Sequence, residues 1–234
     1  MIKEALQYLE QKFQAANEPV EAHGCMYSPV ELNLIKAPET KPLVLHTLQG
    51  LVDYIRAQPM ETASGIIHVL APEKVNLILP LNEETRQRET LITVELLQSA
   101  FQFGRYLPQE EFIVSIQSQF IQTEARDALI KVAGSITAEA VTISEDDGIS
   151  QRVTAKAGIA RVEKIDLPNP VVLKPYRTFI EVDQPEVQFV LRMRAPAQLA
   201  LFEADGGAWR NKAITSIAYW LNGALQGKNM PVIA

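Results

Sequence analysis

The sequence contains a single cysteine, only three histidines and no long apolar run. Cys25 cannot form an internal disulfide, which indicates a reducing compartment. No apolar run approaches the roughly 20 residues that a membrane-spanning helix needs. The N-terminal residues also lack the charged and then apolar layout of a signal peptide. We therefore expect a cytoplasmic protein without a membrane partner.

The sequence signatures of common catalytic sites are also absent. The chain has no G-x-x-x-x-G-K-[ST], G-x-G-x-x-G, G-x-S-x-G or H-E-x-x-H motif. The sequence therefore lacks the motif residues by which P-loop proteins, Rossmann-fold proteins, hydrolases with a nucleophile elbow and zinc proteases are recognised. His23, His46 and His68 lie far apart, and the acidic turn Glu145–Gly148 lacks the remaining ligand positions of an EF-hand. We predict no enzymatic activity, no catalytic residue, no cofactor and no metal site.

The net charge of -6 conceals opposite charges in two parts of the chain. Residues 1–150 contain 11 Lys or Arg and 21 Asp or Glu, which gives -10. Residues 151–234 contain 11 and 7, which gives +4. Three interpretations remain open: neutralisation within one fold, contact between acidic and basic faces of neighbouring subunits, or a basic surface for an anionic ligand.

Residues 1–42 predict an amphipathic helix followed by a proline-containing arm with a short hairpin. The apolar residues at helical spacing are Ile2, Leu6, Leu9 and Phe13. A short helix needs a surface against which to bury such a stripe. Two alternatives are open: the stripe packs on its own chain, or it contacts a neighbouring subunit as a candidate oligomer contact.

Residues 43–98 predict a compact α+β unit, in which an extended segment over Leu43–Leu45 precedes a helix. Thr47 is a favoured N-cap residue, and apolar residues at helical spacing predict a helix over Leu48–Ala57. Three β-branched-rich runs follow, and a proline-containing turn joins the first two. These strands are predicted over Gly65–Leu70, Val75–Leu79 and Thr90–Leu96.

Residues 99–234 predict further helices and hairpins. Pro108 and Thr123 are favoured residues at helix starts. Val187–Arg194 alternates apolar and polar residues, as a half-buried strand does. Asp205 is the expected N-cap of a tryptophan-bearing helix that covers the neighbouring hairpin. Other strands are predicted over Ala138–Ser144, Ile149–Ala157 and Leu199–Glu203, and an edge or crossing segment over Ile165–Leu173.

Basic and aromatic residues in this region form a second candidate site. Aromatic rings interleaved with arginine can stack the bases of single strands, although such rings also form cores. Arginines on a strand can meet phosphates or simply face solvent. The candidate anion or nucleic-acid contacts are Phe101, Phe103, Arg105, Tyr106, Arg177, Arg192 and Arg194.

Four segments carry a resemblance to known proteins. They are Leu45–Ile55, Lys131–Gly134, Tyr176–Pro185 and Phe202–Trp209. In these segments the chain resembles proteins encoded by phages and prophages of Gram-positive hosts, and it is distantly similar to the YfdQ-like family. The resemblance implies a phage accessory protein in the bacterial host cytoplasm and offers no catalytic residues to carry over.

The sequence as a whole predicts an α+β protein of antiparallel β-meanders and hairpins covered by amphipathic helices. Its segments are 1–42, 43–98 and 99–234, with the alternative that 43–234 is one continuous domain. We expect a non-enzymatic accessory protein that self-assembles into a homo-oligomer, with a large closed assembly as one form. Two other functions remain open: nucleic-acid binding or recombination support, and counter-defence by sequestering a host signal or effector.

Overall fold

A computed structural model describes the chain in eight stretches. They are residues 2–18, 20–22, 25–27, 41–58, 64–83, 87–97, 101–136 and 167–234. The chain divides into two compact units, Met1–Glu39 and Thr40–Ala234. The strands predicted over 138–144 and 149–157 lie outside the described residues.

The first unit contains a helix and a short hairpin. Helix α1 spans Ile2–Asn17. Strands β1 (Val20–Ala22) and β2 (Cys25–Tyr27) pair antiparallel, with Glu21 opposite Met26. The predicted N-terminal helix and hairpin are both confirmed.

The second unit combines helices and two sheets, which confirms the predicted α+β class. Its helices are α2 (Leu48–Ala57), α3 (Gln109–Gln119), α4 (Glu124–Ser135) and α5 (Trp209–Ala224). Its strands are β3 (Leu43–Leu45), β4 (Ile66–Ala71), β5 (Lys74–Leu81), β6 (Arg88–Glu95), β7 (Leu107–Pro108), β8 (Val171–Leu173), β9 (Val187–Arg194), β10 (Gln198–Glu203) and β11 (Val232–Ile233). Within the described stretches, no helix is both long and apolar enough to cross a bilayer.

The first sheet has the strand order β11-β4-β5-β6-β3. Its centre is the predicted meander, in which β4 pairs antiparallel with β5 and β5 with β6. The sheet is nevertheless mixed, because β3 pairs parallel with β6 and β11 pairs parallel with β4. Strand β3 confirms the extended segment predicted over Leu43–Leu45, whereas β11 has only two residues, too few for an alternating pattern to predict it.

The second sheet has the order β7-β10-β9-β8, and each of its pairings is antiparallel. Strands β9 and β10 form the expected hairpin, with Leu191 opposite Leu201. Strand β8 lies at one edge, as predicted for the segment Ile165–Leu173.

Each sheet buries one face in its own core. The first core contains residues of the first sheet and α2, including Leu48, Leu51, Ile67, Leu77, Ile92 and Val94. The second core contains residues of the second sheet, α3 and α4, including Phe112, Ile116, Leu129, Phe189, Leu191 and Leu201.

Helix α5 contributes to both cores. Trp209 and Ala213 lie in the second core, whereas Ile217 and Leu221 lie in the first. The helix therefore packs on the side of the β9–β10 hairpin as expected, and it also packs against the first sheet, which was not expected. Its apolar stripe is long enough to reach from one sheet to the other, since a helix rises about 1.5 Å per residue.

Polar side chains fix the starts of three helices as predicted. The hydroxyl oxygens of Thr47 and Thr123 each accept a hydrogen bond of 3.1 Å from the N–H three residues later. The Asp205 carboxylate accepts from the N–H groups of Gly207 and Trp209, both at 3.0 Å. Asp205 thus caps the turn that leads into α5, although the regular helix begins at Trp209.

Candidate functional site

The structure places Arg177 inside the protein instead of on a surface. Only 5% of its side-chain surface is exposed. The guanidinium carbon lies 3.8 Å from the ring centroid of Phe103, 4.5 Å from that of Trp209 and 5.3 Å from that of Phe189. Its Nη2 atom is 2.6 Å from Oε1 of Glu203. The proposed surface contact at Arg177 is therefore corrected: this arginine is a cation of the core.

The rings of Phe103, Phe189 and Trp209 form an aromatic cage around Arg177. This cage replaces only part of the hydration that the guanidinium loses on burial. Burial lowers the pKa of Arg177 from its ordinary value, and the Glu203 carboxylate opposes that shift. Nη2 meets Glu203 at ion-pair distance without hydrogen-bond alignment, and Nη1 has no acceptor among the described residues. Three ring faces supply cation–π attraction in place of those bonds. The cage therefore connects the loop between β8 and β9, which carries Arg177, to helix α5, and it is not an open binding site.

A buried glutamine orders the loop that carries Arg177. Gln184 is 5% exposed. Its side-chain oxygen accepts from the N–H groups of Arg177 at 2.8 Å and Thr178 at 3.1 Å. Its side-chain nitrogen donates to the carbonyls of Thr178 and Phe179, both at 3.1 Å, and to that of Val182 at 3.4 Å. No motif or periodicity in the sequence indicated this role.

Phe101 belongs to the second core, and the half-buried Phe103 packs against that core. Phe101 is 6% exposed, and its ring centroid lies 4.8 Å from that of Phe103. Phe103 stacks on Phe189 with centroids 5.0 Å apart and planes 12° apart. The core alternative is therefore confirmed for these two rings. Arg105 is exposed and bonds to the side chain of Gln102.

The other candidate arginines lie on the outer face of the second sheet. Along β9, Arg192 and Arg194 alternate with residues of the second core such as Leu191. Arg192 is half-buried and Arg194 is exposed. The guanidinium carbon of Arg194 lies 4.2 Å from the Tyr106 ring centroid, and its Nε donates to Oε1 of Gln198 at 2.7 Å.

Phe202 completes this group, although no charge or spacing pattern marked it as a candidate contact. Its position on β10 pairs with Val190 of β9, which lies on the same face as Arg192 and Arg194. Its ring centroid is 6.1 Å from that of Tyr106, with the planes 69° apart. We call Tyr106, Arg192, Arg194 and Phe202 the arginine–aromatic face.

The second candidate site is the apolar stripe of α1, and it is exposed. Leu6 and Leu9 each retain 62% of their accessible surface, Phe13 retains 75% and Ile2 retains 81%. Tyr8, on a neighbouring face of the helix, is 60% exposed and lies 5.8 Å below the ammonium of Lys12. No residue in the described part of the first unit buries these side chains.

Within the described stretches, the histidines and carboxylates form no cluster that could bind a metal ion. Among the described residues, no group of three or more His, Cys, Asp or Glu side chains could hold a metal ion. Nδ1 of His46 lies 2.8 Å from the backbone carbonyl of Glu95. His68 is half-buried on β4 opposite Asn76, where the sequence predicted a strand residue. His23 lies outside the described residues.

The two candidate sites differ in chemistry and in place. The α1 stripe is apolar and belongs to the first unit, whereas the arginine–aromatic face is cationic and belongs to the second. Comparisons with protein-family models, with curated proteins and with solved structures find no match.

Proposed function

We propose that the protein is a self-associating accessory protein whose subunits are joined through α1. The observation that carries this proposal is the exposed stripe of four large apolar side chains on one face of a 16-residue helix. Exposed apolar surface of this kind is typical of contact sites between proteins. A non-catalytic role in a phage remains part of the proposal and rests on the sequence resemblance.

The energetics of short helices support a partner for α1. Isolated helices shorter than about 12–15 residues are marginal in water even when they are alanine-rich, because few hydrogen bonds repay the cost of nucleation, and α1 is barely longer at 16 residues. Most helices in proteins are stabilised by burying an apolar face. A second copy of α1 would bury both stripes at once, as a self-complementary interface does.

The spacing of the stripe favours a second helix as the partner. Successive stripe residues are four, three and four positions apart, which is the spacing of core positions in a coiled coil. Lys3 and Glu10 lie seven residues apart on one flank of the stripe. Side chains on the two flanks of a coiled-coil seam set the orientation of the partner helix.

An antiparallel arrangement satisfies these flanking charges better than a parallel one. In an antiparallel pair the like flanks face each other, so Lys3 of each helix meets Glu10 of the other. In a parallel pair, the flank that carries Lys3 and Glu10 faces the other flank of the partner helix. The partner residue nearest to Glu10 is then Ala5, which carries no charge. Antiparallel helices also align their macrodipoles favourably. We therefore place the two copies of α1 antiparallel.

Native mass spectrometry of stripe variants tests the interface. Leu6→Glu with Leu9→Glu places two charges in the stripe, and we expect this variant to be monomeric at concentrations where the parent is an oligomer. The matched control is Gln7→Glu with Gln11→Glu, which adds the same charge on the face of the helix opposite the stripe and should keep the parental mass. Deleting residues 1–18 should also lower the number of subunits in the native assembly. Unchanged mass in the stripe variant and in the deletion would refute the proposal.

A charge-reversal cycle tests the orientation of the helices separately. Lys3→Glu places like charges opposite each other in both pairs of an antiparallel dimer, and Glu10→Lys does the same with positive charge. We expect each single variant to weaken association, measured by the dimer dissociation constant at low salt, and the double variant to restore it. If the single variants have no effect, or if the double variant is no better than either, the antiparallel orientation is wrong even when α1 is the interface.

A further inference from the structure

We propose that the arginine–aromatic face binds single-stranded nucleic acid. This inference is independent of the proposed self-association, because it uses residues of the second unit alone. It is carried by the juxtaposition of two half-buried aromatic rings, Tyr106 and Phe202, with the cationic side chains of Arg192 and Arg194 on one sheet face.

The register of the hairpin fixes which side chains share this face. Arg194 lies opposite Gln198, Arg192 opposite Ala200 and Val190 opposite Phe202. Residues directly opposite each other on paired strands point to the same side of the sheet. The seven residues that β9 and β10 place on this side are Gln188, Val190, Arg192, Arg194, Gln198, Ala200 and Phe202. This set contains two arginines and neither aspartate nor glutamate, and the exposed Arg194 offers its guanidinium to an anion.

The aromatic rings narrow the class of anion. Tyr106 and Phe202 stand edge to face, with centroids 6.1 Å apart. Rings that are partly open on a sheet can stack unpaired bases, and stacking of this kind tolerates any base sequence. A duplex keeps its bases stacked inside and would offer these rings little contact. The combination of rings and arginines therefore fits a single strand better than a duplex.

The stacked pair of Arg194 and Tyr106 positions both groups for this ligand. The tyrosine ring lies 4.2 Å from the guanidinium carbon, and Gln198 holds Nε at 2.7 Å. These contacts restrain the long arginine side chain before any ligand arrives, which reduces the entropy lost on binding. Phosphate oxygens would meet the guanidinium from the solvent side, since Arg194 is exposed.

Fluorescence anisotropy with a labelled oligothymidine tests the inference on the full chain. The test variant is Arg192→Glu with Arg194→Glu. The matched control is Lys212→Glu with Lys228→Glu, which changes the net charge equally at exposed positions on and after α5. We expect the arginine variant to lose about tenfold or more in affinity and to show a shallower salt dependence, by about 1.4 in the log–log slope for two phosphate contacts. The lysine control should bind within about twofold of the parent, because screened distant charges contribute little.

Three outcomes would overturn the inference. They are no binding by the parent protein at about 50 mM salt, equal losses in the arginine and lysine variants, and tighter binding of duplex than of single strand. A result that does not depend on variants comes from photocrosslinking the parent protein to an iodouracil-containing strand. We expect mass spectrometry to locate the crosslink at Tyr106 or Phe202, and a crosslink confined to other peptides would contradict the proposal.

Discussion

Gln184 satisfies backbone groups of the loop between β8 and β9 that would otherwise be buried without partners. One amide group accepts two hydrogen bonds and donates three, all to the main chain of residues 177–182. Few other side chains could do this, because only an amide combines an acceptor with two donors on a short stem. The loop in turn holds Arg177 in its aromatic cage.

Replacing this glutamine should therefore be costly. We expect Gln184→Leu to lower the free energy of unfolding by about 3 kcal/mol, because each buried polar group left without a partner costs about 1–3 kcal/mol. Urea denaturation monitored by circular dichroism measures the effect. Gln226→Leu, at an exposed position after α5, is the control and should change stability little. A loss in Gln184→Leu no larger than in this control would show that the network contributes nothing.

The ion pair between Lys74 and Glu95 makes a residue-scale prediction about pH. Nζ of Lys74 lies 2.7 Å from Oε1 of Glu95, and this hydrogen bond and the lysine charge lower the pKa of Glu95. A lowered folded-state pKa means that the pair stabilises the fold above the ordinary glutamate pKa. This contribution is lost as the pH falls through the lowered value.

Removing the Lys74 ammonium should bring the pKa of Glu95 back toward its ordinary value. We expect Lys74→Met to raise the pKa of Glu95, measured by following its side-chain carboxyl carbon in an NMR pH titration. Lys212→Met, at an exposed position on α5, removes a lysine elsewhere and should leave the Glu95 titration in place. An unchanged pKa in Lys74→Met would mean that the pair does not persist in solution.

At the scale of elements, two threonine caps set where α2 and α4 begin. Each hydroxyl satisfies one of the N–H groups that a helix start leaves open. We expect Thr47→Ala and Thr123→Ala each to lower the free energy of unfolding by about 1 kcal/mol, the usual value of such a cap. Thermal or urea unfolding measures this, and the serine variants should retain most of the stability because they keep the hydroxyl.

The stability losses caused by the two cap substitutions should also be additive. The two helices pack in different cores and share no contact in the caps themselves, so the double alanine variant should lose about the sum of the single losses. If the serine variants lose as much stability as the alanine variants, the threonine methyl group and not the hydroxyl carries the effect.

Local signals predicted most elements and missed the two-residue strands β7 and β11, which depend on distant pairing. The caps at Thr47 and Thr123, the β4 to β6 meander and the β9 to β10 hairpin each carry a periodic or capping pattern in consecutive residues. Strand β3 coincides with the extended segment predicted over Leu43–Leu45, whereas the pairing of β11 with β4 was not predicted. A two-residue strand such as β11 has no sequence pattern of its own, since the partner strand supplies the hydrogen bonds.

The candidate sites likewise contain residues that a local sequence pattern reveals and others that only the folded structure reveals. The apolar stripe of α1 could be read from its spacing, and Arg192 and Arg194 from their alternation along β9. Arg177 has the same charge but lies in a loop without periodicity, so its burial could not be deduced. Phe202 joined the site only through the register between β9 and β10.

At the scale of the whole second unit, the two cores are physically joined. The loop after β8 inserts Phe179 into the first core before the chain returns to β9 in the second. Thr178 donates a hydrogen bond of 2.5 Å from its hydroxyl to the carbonyl of Pro72, in the turn between β4 and β5. Helix α5 passes through both cores. Neither core can lose this helix or this loop without exposing apolar surface of the other.

This connection predicts that the two cores unfold together. The two tryptophans of the chain offer a separate probe for each core: Trp209 lies in the second core and Trp220 packs against the first. Trp220→Phe leaves a fluorescence signal from the second core, and Trp209→Phe leaves one from the first. Within each variant, we expect the urea midpoint by fluorescence to coincide with the midpoint by far-ultraviolet circular dichroism, as two-state unfolding requires. Comparing two probes inside one protein makes the test insensitive to any loss of stability from the substitution itself. If the fluorescence transition of one variant precedes its circular dichroism transition, the cores are separate folding units and α5 is only a linker between them.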